Sequence, residues 1–159
     1  MSKERVKEFL TARGLGDRIT IHETLCDTVT HAAESIGCTE AEIAKTMTFL
    51  LADGPIAIVC AGDARVQNGK YKTTFGEKAK MVPFDEVERV IGHAPGGVCP
   101  FALAPGVRVY LDESLRRFTV VHAAGGAQEA TVCLSPAELA QAAAPATWVD
   151  VCAGWQVEE

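Results

Sequence analysis

The chain has 159 residues, 48% of them hydrophobic and 23% charged, which is the make-up of one folded domain and not of a disordered segment. No apolar run approaches the roughly 20 residues of a membrane-spanning helix. The charged start Met1-Ser2-Lys3-Glu4-Arg5 is unlike a secretory leader, so a cytoplasmic protein with no membrane partner is expected. A net charge of −6 argues against non-specific binding to nucleic acid, which depends on neutralising phosphates.

The first helix is expected from about Lys3 to Arg13, capped by Ser2, lined by Val6, Phe9 and Leu10 and stopped by Gly14. Ile19-Thr20-Ile21-His22 alternates as a short strand, and a helix from Thr30 to Ile36 ends at Gly37. Thr39-Glu40-Ala41-Glu42 has the pattern of a capping box and launches a short helix toward Lys45. Two apolar segments, Met47 to Ala52 and Ile56 to Ala61, are joined by Asp53-Gly54-Pro55 and predict a buried hairpin in the centre of a sheet. Lys45 then stands at the junction of helix and strand.

Further along, Lys70 to Phe75 and Phe84 to Ile91 read as helices, and Val107 to Leu111, Phe118 to Ala123 and Ala130 to Leu134 as strands. Ser135-Pro136-Ala137-Glu138 opens a last helix with a cap, a proline in the first turn and a Glu three residues on. Trp148 to Val151 is a candidate closing strand. The hairpin demands antiparallel pairing, so the expected fold is α/β, a single domain with a mixed, twisted or barrel-like sheet and surrounding helices.

The cysteines, Cys26, Cys38, Cys60, Cys99, Cys133 and Cys152, have no Cys-x-x-Cys or Cys/His spacing of the zinc type and are expected to be reduced and mostly buried. There is no P-loop, no Rossmann fingerprint and no His-Glu-x-x-His, so neither cofactor nor metal is expected. Four features remain. Lys45 sits at the edge of the expected core, although a lone lysine is more often a surface residue. Gly96-Gly97 can turn successive N–H groups toward an oxyanion, or can simply make a turn. Gly125-Gly126 follows a strand and permits close approach. Cys99 could act as a nucleophile, but none of His22, His31, His93 and His122 is singled out by spacing as its base, and a structural cysteine is the better reading. Between Arg65 and Lys80 lie five basic residues and one acid, a solvated face or a local phosphate contact.

Taken in order, Ile43-Ala44-Lys45-Thr46, Gly96-Gly97-Val98-Cys99-Pro100-Phe101-Ala102-Leu103, Val109-Tyr110-Leu111-Asp112, Gly125-Gly126 and Leu134-Ser135-Pro136-Ala137-Glu138-Leu139 resemble the YbaK/EbsC family of free-standing editing domains. That family is similar to the editing domain inserted in bacterial proline–tRNA ligases. The resemblance runs from about His22 to the last helix and is carried by motif order, with no single motif highly specific.

The resemblance implies residues 1–159 as a single YbaK-like aminoacyl-tRNA deacylase domain that hydrolyses the ester of mischarged tRNA, alone or with an aminoacyl-tRNA synthetase. It matches the family's lysine to Lys45, which would anchor the terminal phosphate–ribose or polarise the ester. It matches the glycine loop to Gly96, Gly97 and Val98, whose N–H groups would hold the oxyanion, with the substrate's own hydroxyl and a water in place of a protein base. His22, Met47, Gly125, Gly126 and Thr131 are candidates to contact the substrate, and Lys70, Lys72, Lys78 and Lys80 to contact tRNA. Gly97 is expected to exclude a side chain for the sake of the reaction, leaving stability nearly intact. The chain departs from the pattern at Cys99, where relatives often have serine or threonine, at Ala102, often glycine, and at Ala127-Gln128-Glu129, where a basic residue often follows the glycines. These departures bear on the amino acid accepted. The competing class is a non-catalytic module that binds aminoacyl-tRNA or a synthetase.

Overall fold

Strands β2 (Ile43–Leu51) and β3 (Gly54–Ala61) form the expected hairpin, with Leu51 opposite Gly54 across the turn residues Ala52 and Asp53. The structure is a computed structural model and describes residues 2–155. From Ile56 to Ala61 every residue of β3 is buried, as a strand covered on both faces requires.

Around the hairpin lie β1 (Ile19–Ile21), β5 (Arg108–Asp112), β6 (Val121–Ala124), β7 (Ala130–Leu134) and β8 (Ala146–Val149), in the order β1-β7-β6-β2-β3-β5-β8. Three neighbouring pairs are parallel, β2–β6, β3–β5 and β5–β8, and the other three are antiparallel. The sheet is therefore mixed, as expected, with the hairpin in its middle. It does not close, so the barrel-like alternative is not realised. A second, two-stranded sheet pairs β4 (Arg65–Val66) with β9 (Cys152–Ala153), neither of which the sequence pattern reveals.

The helices are α1 (Ser2–Thr11), α2 (Val29–Ile36), α3 (Asn68–Phe75), α4 (Val87–Ile91) and α5 (Pro136–Ala142). Thr28 caps α2 by accepting from the His31 N–H, and Gly37 ends it in the left-handed conformation. Ser135 and Glu138 make the reciprocal capping box of α5. Ser2 lies inside the first turn of α1 and is not its cap; its hydroxyl faces Gly92 O and His93 Nδ1.

Two differences from expectation shape the site. The capping box at Thr39 launches only a single 3-10 turn, Glu40–Glu42, and the strand starts at Ile43, so Lys45 lies within β2 and not at a junction. Strand β2 is also only partly buried, with Lys45, Thr46 and Met47 open to a depression.

The register explains that opening. On its outer edge β2 pairs with β6 only at Ile43↔His122 and Ala44↔Ala123. Farther along, Leu50 N–H donates to Lys80 O at 2.8 Å and Val82 N–H donates to Thr48 O at 3.1 Å, an isolated antiparallel bridge at Phe49↔Met81. Leu50 faces Pro55 across the hairpin, and proline has no N–H to offer, so the Leu50 main chain points away from β3. Main-chain direction alternates along a strand, so Thr48 and Thr46 point the same way. Thr46 thus lies between two neighbouring segments and pairs with neither.

Candidate active site

A cleft of about 330 Å³ opens at this gap. Lys45, Thr46 and Met47 line it along β2, His122 and Ala124 along β6, Thr131 on β7, Gly96 and Val98 on a loop, and Asp27 and Thr28 at the start of α2. Polar groups therefore converge from five chain segments at the end of a strand pair that splits apart, where open α/β sheets tend to hold ligands.

Lys45 is the only Lys or Arg in the lining. Its ammonium is 3.4 Å from Gly62 O and makes no ion pair among the described residues. Backbone crowding brings that carbonyl close: a Cβ on Gly62 would lie 1.9 Å from Glu40 O. Met47 and Thr131 also line the cleft, whereas His22 does not; its Nε2 lies 2.7 Å from Thr131 Oγ1 and orients that hydroxyl from behind.

The glycine loop divides its roles. Gly96, with φ of 92°, and Val98 border the cleft, while Gly97 is buried and its N–H donates to Ala94 O at 3.0 Å. A Cβ on Gly97 would lie 2.7 Å from the main-chain carbon of Gly126 and 2.8 Å from Ala127 N. Gly97 thus excludes a side chain because two glycine turns stack backbone to backbone, so its replacement is expected to cost stability as well as activity. Gly126 is pressed in turn against α1, where a Cβ would lie 2.8 Å from Ser2 O and from Val6 Cγ2. Gly126 therefore supports the glycine loop, Gly125 packs on Ala130 and donates to its carbonyl at 2.8 Å, and neither borders the cleft.

The basic stretch is not one surface. Lys70 is tied to Asp150 Oδ1 and to Cys152 O, each at 3.0 Å, which anchors α3 to the small sheet. Lys72, Lys78 and Lys80 are exposed, and none of the four lines the cleft. Lys80 belongs to the segment that bridges β2 just beyond the gap.

Among the cleft residues that the sequence did not single out, Asp27, His122 and Thr46 carry chemistry. Asp27 accepts a hydrogen bond from His31 Nδ1 at 2.8 Å; this contact, first of all, holds the carboxyl below the usual carboxylate range and raises the imidazole's pKa. The four-residue spacing of Asp27 and His31 was the available signal. His122 borders the cleft with its pKa lowered by burial, an effect that the nearby Glu42 opposes and His22 reinforces. Thr46 carries a buried hydroxyl with no partner among the described residues.

Cys99 does have a histidine beside it, His93, with Sγ 3.5 Å from Nε2. Both are fully buried and neither lines the cleft. His93 Nε2 is 2.6 Å from Phe101 O and must donate its proton to that carbonyl, so it cannot take one from the thiol. Burial pushes the Cys99 thiol up to about 12. The pair is an inert part of the core, and all six cysteines are free thiols. Ala102 has φ of 52°, the conformation that favours the glycine often found there in the family it resembles.

Residues 23–142 match the family model of the aminoacyl-tRNA editing domain. The chain belongs to that family. The uncharacterized protein YwhH of Bacillus subtilis is 42% identical over 98% of this chain and 100% of its own length. A crystal structure assigned as a candidate trans-editing enzyme for prolyl-tRNA synthetase superposes with a TM-score of 0.86 at 30% identity, covering 96% of this chain and 98% of that one. A proline–tRNA ligase of Streptococcus equi subsp. zooepidemicus is 22% identical over 73% of this chain, a match that spans 19% of the ligase. Among the described residues no helix of this editing domain is long and apolar enough to cross a membrane.

Proposed function

We propose that this editing domain is an aminoacyl-tRNA deacylase that hydrolyses the ester of mischarged tRNA, in the cytoplasm, alone or beside an aminoacyl-tRNA synthetase. The observation that carries the reading is the convergence of Lys45 with Gly96 and Val98 in one cleft. Ester hydrolysis passes through a tetrahedral oxyanion, and donors already aimed at that charge are worth a few kcal/mol of barrier. With Gly97 N–H bonded to Ala94, the main-chain donors of this loop are Gly96 and Val98. The Lys45 ammonium anchors the 3′-terminal phosphate–ribose or polarises the ester, in a site shielded enough to strengthen the attraction. Met47 and Thr131 contact the aminoacyl group, with His22 holding Thr131. Asp27 is the one acidic residue in the cleft lining among the described residues, and attack is by water assisted by the substrate's own ribose hydroxyl. Lys78 and Lys80, with Lys72, meet the tRNA backbone; Lys70 is already engaged within the fold.

Single-turnover deacylation of a panel of mischarged tRNAs tests this. Wild type hydrolyses at least one of them, and Lys45→Ala slows that reaction at least tenfold, about 1.4 kcal/mol of transition-state stabilisation, with an unchanged melting curve. A protein that binds the panel and turns over none of it is a binding module instead.

A further inference from the structure

The lining of the cleft contains more than the deacylase reading uses. Beside Lys45 it holds one carboxylate, Asp27, so the cleft carries both signs of charge. Its floor holds the unpaired edge of β2 at Thr46. The N–H and C=O of Thr46 point into the gap between β6 and the segment bearing Lys80, and its hydroxyl has no partner. Buried main-chain groups in a sheet are almost always paired, so an open position in the middle of a sheet marks a place where a ligand can supply the missing partner.

We propose that Thr46 and Asp27 form the subsite for the α-ammonium of the aminoacyl group, so that the domain selects aminoacyl esters with a free amine over N-acylated ones. The inference rests on the deacylase reading for the identity of the ligand. The chemistry matches on three counts. An α-ammonium brings three N–H donors (two on a prolyl group), and the Thr46 carbonyl and the Asp27 carboxylate are acceptors for them. His31 Nδ1 holds Asp27 Oδ1 at 2.8 Å, which orients the carboxylate at the solvent-exposed rim of the cleft. The charges of the lining also repeat those of an aminoacylated 3′ end, a cationic amine and an anionic phosphate, met by Asp27 and Lys45. Recognition through the main chain of Thr46 does not depend on the amino acid's side chain, which is left to Met47, Val98 and the small residues around them. N-acylation removes the charge, leaves one N–H (none on a prolyl group) and adds bulk beside the nitrogen.

Binding tests this independently of turnover. The probes are tRNAs that carry alanyl, seryl or prolyl groups through a hydrolysis-resistant 3′-amide, each with the amine free or acetylated. The wild-type protein is expected to bind the free-amine form of its preferred probe at least tenfold more tightly. Asp27→Asn, which retains an acceptor for His31, should shrink that preference to less than threefold while leaving affinity for the acetylated form unchanged. The backbone NMR resonances of Thr46 should move with the free-amine probe and not with the acetylated one. Equal affinity for the two forms, or shifts that bypass Thr46, would overturn the subsite. Hydrolysis of the matching esters, measured in parallel, reports on the deacylase reading separately.

Discussion

On the β3–β5–β8 side of the sheet, buried polar groups are answered from within the fold. Asp112, fully buried at the end of β5, accepts from Val151 N–H at 2.9 Å and from Ser114 N–H at 3.0 Å, and Ser114 Oγ accepts from Ala61 N–H at 3.1 Å. On the β2–β6 side the strands part after two paired positions, and among the described residues Thr46 is left with neither a main-chain ladder partner on that edge nor a side-chain partner. The contrast separates polarity that maintains the structure from polarity held ready for a ligand. Tyr71 is the exception on the well-paired side, its hydroxyl unpartnered within an aromatic group of Phe49, Phe75 and Tyr110.

Asp112→Ala should have the largest effect on the well-paired side. Two buried N–H groups would lose their acceptor, and each orphaned group costs about 1–3 kcal/mol, so urea denaturation should show a loss of about 3 kcal/mol. A loss under 1 kcal/mol would mean that the β5 side is not held by this node.

Gly97→Ala probes the cleft side's dependence on backbone contact. With the new Cβ pressed on Gly126, a loss of about 2 kcal/mol is expected, the usual scale of overpacking. An unchanged melting temperature would show that the two turns can separate freely.

Thr46→Val should have the opposite sign. It is nearly isosteric and removes a buried, unpartnered hydroxyl, so thermal unfolding should show a gain of about 1 kcal/mol. Destabilisation would mean that the hydroxyl has a partner within the fold and that the floor is no different from the other flank.

The smallest effect concerns pH. The Arg18 guanidinium, at 2.7 and 2.8 Å from its two carboxylate oxygens, holds the Glu138 carboxyl down at about 2, helped by the Ser135 N–H. A depressed carboxylate pKa contributes stability that is present above the ordinary value, near 4.5, and is lost as pH falls through about 2. The partly exposed pair is screened, so the contribution is modest. Denaturation midpoints of wild type and Glu138→Gln should differ above pH 4.5 and converge toward pH 2; a constant gap would remove the ion pair from the account.

Much of this organisation was legible in the chain. Local signals stated in a few consecutive residues came through: the turn at Asp53-Gly54, the stop at Gly37, the capping box from Ser135 to Glu138, and β7 at Ala130–Leu134. Strand β9 and the bridge at Met81 did not, because a two-residue strand has no period to detect and its partner lies far away in sequence. Among the site candidates, Lys45, Met47, Gly96, Val98 and Thr131 share one cleft, whereas Gly97, Gly126 and His22 support it from behind and Gly125 packs on Ala130. A glycine that admits a ligand and a glycine that admits another backbone look the same in sequence.

By itself the sequence determined the α/β class, the central hairpin, the reduced cysteines and, through the order of its motifs, the family. These are consequences of local periodicity, of turn chemistry and of which residue types appear at all. Only the tertiary structure decided that the sheet stays open, that Cys99 is silenced by a histidine donating elsewhere, that Lys70 is tied to Asp150, and that Thr46 is left unpaired between two neighbours. Each of those depends on which distant segment arrives at a given edge, at what distance and with which hydrogen-bonding groups already engaged, and no spacing along one chain records that.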